Sequence, residues 1–455
     1  MTTLINVNTG IGRVEGEITD AYVKFILGLT LDQVPDEVIA ATKLRLLDWL
    51  GVAVAGSSTT QVDRLLAALA GFSGSGPISV PGRGISLPLH DAVLVNATMA
   101  QALDFDSPLD STVGPLAPVG AAVYATAQWR PCSGLELLLA FIVGYEVMAH
   151  IARPTGRLLQ RRGLFANGHT APFGVAAATG RMIGLDEERL KHAMGLAGTQ
   201  AAGLRQTLGS MTKALMTGKA AMSGIMAACW AEQGYTSSVR ILDGEMSFAD
   251  VYVDESLEGT EKTLGEDWEI LKSIMKLYPT CGGFPAAIEC AIELRKTCDI
   301  DPREIDRVVA ELGPQTVTSA GDPHPVGAEA GRLSAQYVLS VVLYEGTVTR
   351  SAFTDEAVAR PEMQELLSKV ELDPISERVT DGKVQIFMRD GRVFEHYVEW
   401  AKGTEGNPLT WDDVIAKFMA NLDGTVDVDR AERIVDLVQN IESLEDASVI
   451  LPLSS

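Results

Sequence analysis

The 455 residues are 46% hydrophobic and 21% charged, an ordinary globular balance, and the length suits two or three domains of about 150 residues. That composition excludes a disordered, collagen-like or disulfide-scaffold chain. With 37 basic against 60 acidic residues the net charge is −23, which argues against a nucleic-acid footprint or a polybasic membrane patch and favours an enzyme or binder of small ligands. The five cysteines are widely spaced and form no Cys-x-x-Cys, so no zinc ribbon or thioredoxin-type motif is present. The first residues, Met1 to Asn6, show neither a basic nor an apolar signal region, and the most apolar stretch, Leu135 to Ala149, is short and interrupted by Glu136, Gly144 and Glu146. A soluble, reduced, cytoplasmic protein is expected.

The first 250 or so residues read as successive helices. Thr19-Asp20 can cap a helix over 21–29. Pro35-Asp36-Glu37 opens a second, with Ile39, Leu46, Leu47 and Leu50 on one face and Gly51 or Gly56 as its end. A Gly/Ser/Pro-rich loop over 71–86 holds at most a short strand. Helical patterns follow over 91–103, 134–150, 172–183, 186–199 and 217–234, crowded with small residues that let helix axes approach closely. Near residue 265 the character changes. Asp306 to Leu312 alternates like a strand, and Val384–Met388 with Val393–Val398 reads as a hairpin about an Asp390-Gly391 turn. Helices are expected over 284–296, 334–344 and 357–370. After Trp411 the helical pattern returns. The expected fold is mainly α: an all-helical domain from residues 1–266 and 402–455, with an inserted α+β lid domain at 267–401.

Nucleotide motifs fail on context: the glycines of 195–203 follow no strand, and Gly218-Lys219-Ala220 is not a P-loop. No metal-ligand spacing is present. Several polar clusters remain, each with a structural and a functional reading. Asp104-Phe105-Asp106 closes an apolar helix, where a carboxylate is either a solvated terminus or an acid organising a base or substrate group. His169, in Asn167-Gly168-His169-Thr170-Ala171-Pro172, sits just before an expected helix start at Pro172. It either caps a packed turn or is held neutral by the helix field as a base or donor. Lys213 and Lys276 lie in apolar segments, where a lysine either reaches solvent or takes a depressed pKa suited to proton transfer. Arg332 and Tyr337 could share one face of a helix start. Tyr145 is either a core tyrosine or an acid.

In this order and spacing, these clusters resemble the MmgE/PrpD family over nearly the whole chain. The segment Asn96 to Asp106, Gly144-Tyr145-Glu146, Gly168-His169, Thr212-Lys213, Lys276 to Pro279 and Arg332 to Tyr337 carry the resemblance. The family includes 2-methylcitrate dehydratases, cis-aconitate decarboxylases and iminodisuccinate epimerases. The resemblance implies a homodimer with a cofactor-free site between two domains for small anionic polycarboxylates. It places Lys213, His169, Tyr145, Tyr337 and Asp104 as catalytic, and Lys276 and Arg332 as substrate-binding. Dehydratase and decarboxylase members carry a histidine after the Asp-Phe-Asp motif, whereas Ser107 to Pro118 has none. The resemblance therefore points first to an iminodisuccinate-type epimerase, which needs only proton removal and return beside a carboxylate, with a lyase as the alternative. A member that only binds its polycarboxylate is the non-enzymatic reading.

Overall fold

The computed structural model describes residues 17–109, 113–375 and 380–455, so the expectations for Met1 to Asn6 and for Asp110, Ser111 and Thr112 fall outside the described residues. The fold is mainly α. The first part of the chain builds α1 (Glu17–Gly28), α2 (Asp36–Ser57), α3 (Thr60–Leu69), α4 (Leu89–Gln101) and α5 (Leu116–Trp129). It continues with α6 (Gly134–Arg161), α7 (Ala166–Met182), α8 (Glu187–Gly198), α9 (Thr212–Glu232) and the short α10 (Phe248–Val253). The loop before α4 holds a small hairpin, β1 (Ile78–Val80) and β2 (Ile85–Leu87).

Several boundaries differ from the sequence reading for identifiable reasons. Asp243, rather than Thr19-Asp20, caps α1: its two oxygens accept the Ile18 and Thr19 N–H groups at 2.7 and 3.0 Å, which moves the start back to Glu17. Helix α2 runs through Gly51 and Gly56 rather than stopping there. A Cβ on Gly56 would sit 2.0 Å from the Met99 carbonyl oxygen of α4, so that glycine serves a close helix crossing instead of a terminus. The small residues act similarly where α6 meets α7, since a Cβ on Gly174 would lie 2.4 Å from the Gly144 oxygen. Helix α6 is longer than expected. Its 28 residues are long and apolar enough to cross a membrane, yet 89% of its most apolar window is buried by neighbouring helices, as in a core helix. Helix α5 was missed because a nearly all-apolar segment has no amphipathic stripe to read.

The rest of the chain adds α11 (Pro285–Thr297), β3 (Ile305–Glu311), α12 (Pro314–Ala320), α13 (Gly327–Arg332), α14 (Ala335–Glu345), α15 (Asp355–Val358) and α16 (Pro361–Leu367). Strands β4 (Val370–Asp373), β5 (Gly382–Met388) and β6 (Val393–Val398) follow, then α17 (Trp411–Leu422) and α18 (Val428–Gln439). The expected helix over 357–370 is divided at Pro361 and ends in a strand. The sheet order is β4-β3-β5-β6, with β3 and β4 parallel and the other pairs antiparallel. Val384, Ile386 and Met388 turn one face of β5 into a core shared with α11 and α14.

Among the described residues the apolar interior forms two large clusters and a small third one, in which Val62 and Leu69 pack with Val80, Leu94, Val95 and Met99. The larger cluster collects buried residues from Ile18 to Met275 and again from Leu409 to Leu451. The second collects Phe284 to Met388. Trp268, Ile270 and Met275, expected in the inserted domain, pack in the first cluster. The two are strapped together at residues 274–281: the Ile274 N–H donates to the Pro108 carbonyl at 2.9 Å, Met275 to Gly403 at 2.8 Å and Cys281 to Arg332 at 3.0 Å.

Candidate active site

A cavity of about 140 Å³ opens where these straps meet the end of α4. Gln101, Asp104, Asp106, Lys213 and Lys276, from the end of α4, the start of α9 and the 274–281 segment, form its floor. Cys281, Gly282, Gly283, Thr316 and Leu333 form the facing wall.

Asp104 follows the last turn of α4 with φ +51°, a left-handed conformation uncommon outside glycine but tolerated by aspartate. That bend aims its carboxylate at two lysines from distant segments. Lys213 Nζ meets Oδ2 at 2.6 Å, and Lys276 Nζ meets Oδ1 at 2.9 Å while also donating to the Asp104 carbonyl at 2.7 Å. Burial alone would raise the Asp104 pKa, but the two ammoniums outweigh it and hold the carboxyl well below its usual range. Lys213 responds in the opposite sense. Burial disfavours its charge, yet Asp104 more than compensates and raises it. The depressed lysine pKa allowed for by the sequence is therefore absent at Lys213, which stands as an ammonium.

Asp106 differs from its neighbour. It is buried, its Oδ1 accepts from Gln101 Nε2 at 2.8 Å, and burial, reinforced by Asp104 and opposed by Lys276, pushes its carboxyl up to about 6. A carboxyl poised there exchanges its proton near neutral pH. Gln101 also receives Asn167 Nδ2 at 3.4 Å, and Asn167 Oδ1 accepts the Gly114 N–H at 2.7 Å, which ties the floor to α7.

Arg332 is not on the main cavity wall. It is buried, pairs with Glu329 at 2.7 Å, and borders a small annex shared with Asp104 and Lys213. His169, Tyr145 and Tyr337 are not lining residues of either space. His169 lies inside the first turn of α7, which starts at Ala166 rather than Pro172. Its Nδ1 faces the Phe165 carbonyl at 2.9 Å, Tyr252 meets its ring edge-on, and burial lowers its pKa. Pro172 sits within the helix and, lacking an N–H, leaves the Gly168 carbonyl to the Ala202 N–H at 3.1 Å. The neighbouring Phe165 N–H donates to Gly203 at 3.0 Å and the Arg205 N–H to Gly163 at 2.7 Å. Tyr145 is fully buried against Phe141, and burial raises its pKa, opposed by the neighbouring Arg45 and Ser273. Tyr337 lies in the second core and donates its hydroxyl to the Ala352 carbonyl at 2.6 Å.

The structure also supplies residues that sequence reasoning passed over. Arg157, Gln160 and Arg205 line the cavity beside Leu164 and Phe165, so four basic side chains face two carboxylates. Arg157 and Arg205 belong to no motif, and their convergence is visible only once α6 and the 199–211 loop are placed. Among the described residues, no three His, Cys, Asp or Glu side chains gather to hold a metal ion.

Comparison with known proteins places the chain in a family. The MmgE/PrpD N-terminal domain model matches residues 21–259 and the C-terminal domain model residues 278–443, so the chain belongs to the MmgE/PrpD family. Cis-aconitate decarboxylase of Homo sapiens is 29% identical, covering 96% of this chain and 94% of that enzyme. The Mus musculus enzyme of the same name is 28% identical, over 96% of this chain and 93% of its own. That of Aspergillus terreus is 27% identical, over 96% and 95%. These relatives bear a lyase name, which favours the lyase alternative over the epimerase placed first from the sequence.

Proposed function

We propose that this protein is a cofactor-independent lyase that decarboxylates a small unsaturated tricarboxylate of the cis-aconitate type. The observation that carries the reading is the single carboxylate of Asp104 spanning the Lys213 and Lys276 ammoniums at the base of a cavity lined also by two arginines. When the bond between carbon and a departing carboxylate breaks, its electron pair delocalises toward a remaining carboxylate. Fixed ammonium groups there stabilise the charge that develops in the transition state. Carbon dioxide leaves, and a proton must return to carbon. Asp106, lining the same cavity with a carboxyl at about 6, is the donor we assign. Lys276 and the arginines hold the remaining carboxylates by charge-assisted bonds. The wall over 281–283 with Thr316 and Leu333 acts as the lid in this reading.

The epimerase reading keeps one support, the absence of histidine from Ser107 to Pro118. Incubation with cis-aconitate, and separately with an imino- or aminodicarboxylate, in D2O separates the two. Carbon dioxide release from the tricarboxylate is expected, with kcat/KM falling as pH rises through about 6 because the donor form of Asp106 is lost, and with that limb abolished in Asp106→Asn. Deuterium exchange into a recovered dicarboxylate without carbon dioxide would instead establish the epimerase.

A further inference from the structure

Behind the cavity floor lies a second buried ion pair that none of the chemistry above uses. Lys417 of α17 meets Asp48 of α2 at 2.7 Å, and both side chains are almost wholly out of water. The same Nζ donates to the Phe105 carbonyl at 3.1 Å, 312 residues away in sequence, and stands 3.9 Å from the centre of the Phe105 ring. Lys276 donates to the preceding carbonyl, that of Asp104. Two consecutive carbonyls just beyond the end of α4 are thus each held by an ammonium brought from elsewhere. The first of them belongs to the left-handed residue whose carboxylate spans the two floor lysines, and the second to the residue that follows it. The pair is poorly arranged for stability alone. Asp48 Oδ2 has no hydrogen-bond partner, whereas a buried ion pair offsets its desolvation only when its remaining polar atoms are satisfied. Lys417 directs a donor to the loop instead.

We propose that Lys417, seated on Asp48, is a positioning residue: by holding the Phe105 carbonyl and ring it fixes the left-handed turn at Asp104, and so the spacing of Lys213 and Lys276 across the cavity floor. Its kinetic consequence rests on the reading of that floor as the reaction centre. The competing account is that Lys417 only neutralises Asp48. Lys417→Met leaves a buried carboxylate unpaired and lowers stability under either account, so the deciding variant is Asp48→Asn/Lys417→Met. Should it not fold, Asp48→Leu/Lys417→Met replaces it, because apolar side chains commonly substitute for buried ion pairs.

The expected result is a melting temperature restored toward that of the unmodified protein with kcat still lowered on the order of 100-fold and KM little changed, since displacements of about 1 Å at a reacting group cost that much. Recovery of kcat together with stability would overturn the proposal. If the unmodified protein turns over none of the acids tested, the functional reading fails on its own. A crystal structure of the double variant then decides the clamp. Asp104 leaving the left-handed region and losing a lysine supports it, and an unchanged Asp104 with both lysines in place refutes it.

Discussion

Around the end of α4, the helical part of the molecule takes charged side chains deep into its interior: Asp48, Asp104, Asp106, Lys276 and Lys417 are all buried. The sheet-bearing part handles charge differently. Its ion pairs Arg307–Glu371 and Lys383–Glu395 lie on the open side of the sheet, with side chains substantially in solvent. Several of its interior polar groups close on backbone, as when Ser334 caps the Tyr337 N–H or Tyr337 donates to Ala352. Among the described residues, Arg332 is the charged side chain buried there, and it borders the annex beside Asp104. Exposed pairs contribute about 0–1 kcal/mol, while breaking a buried pair from one side costs about 3–5. The charges that line the cavity floor are therefore buried in the helical part, and the second core mainly supplies shape.

Removing a floor charge is the strongest way to break that contrast. Lys213→Ala should lower kcat/KM on the order of 1000-fold, the loss associated with a fixed group that stabilises developing charge. Near-normal turnover by steady-state kinetics would move the reaction away from Asp104 altogether.

A middle-sized effect concerns pH and stability. Glu146 on α6 accepts the Glu269 and Ile270 N–H groups at 3.0 Å each, anchoring the segment that leads to Lys276. Burial pushes its carboxyl up to about 8 from 4.5, against those two bonds. A carboxyl that holds its proton more tightly when folded contributes most at low pH and loses that contribution as pH rises through the folded value. Relative to Glu146→Gln, the unmodified protein should thus lose stability between about pH 4.5 and 8 and level off above. Melting temperatures measured across that range would show the two curves separating. Parallel curves would mean that Glu146 is ionised in the fold.

The smallest effect is expected in the sheet-bearing core. Tyr337→Phe deletes one hydroxyl bond and should cost about 1–2 kcal/mol in denaturant unfolding while leaving kcat within about twofold. A large loss of kcat without destabilisation would return Tyr337 to the reaction and blur the contrast between the two parts.

Much of the fold was legible from local signals. Pro35-Asp36-Glu37 opens α2, Asp186 caps α8 through the Arg189 N–H, and the Asp390-Gly391 turn joins β5 to β6 with Gly391 at φ +88°. What escaped depends on contacts between distant segments: Asp243 capping α1, Gly56 admitting Met99, and Arg157 and Arg205 reaching one cavity. At the site, the resemblance singled out Asp104, Lys213 and Lys276, and both lysines lie within hydrogen-bonding distance of the Asp104 carboxylate. His169, Tyr145 and Tyr337 were chosen by the same resemblance, but their placement is set by the packing around them. No motif marks Lys417, because its partners Asp48 and Phe105 come from the opposite end of the chain.

Proline at position 172 leaves one rung of α7 open, and the 202–205 segment fills it. With bonds to Gly163, Phe165 and Gly168, that segment is stitched to the start of the helix along its length rather than resting on it. Its backbone cannot swing aside as an ordinary surface loop does in nanoseconds without unmaking those bonds. Arg205 is thereby geared to the first turn of α7. Its side chain thus reaches the cavity from a backbone that shifts only together with the beginning of that helix, so the local stability of the helix end also sets how firmly this wall of the cavity is held.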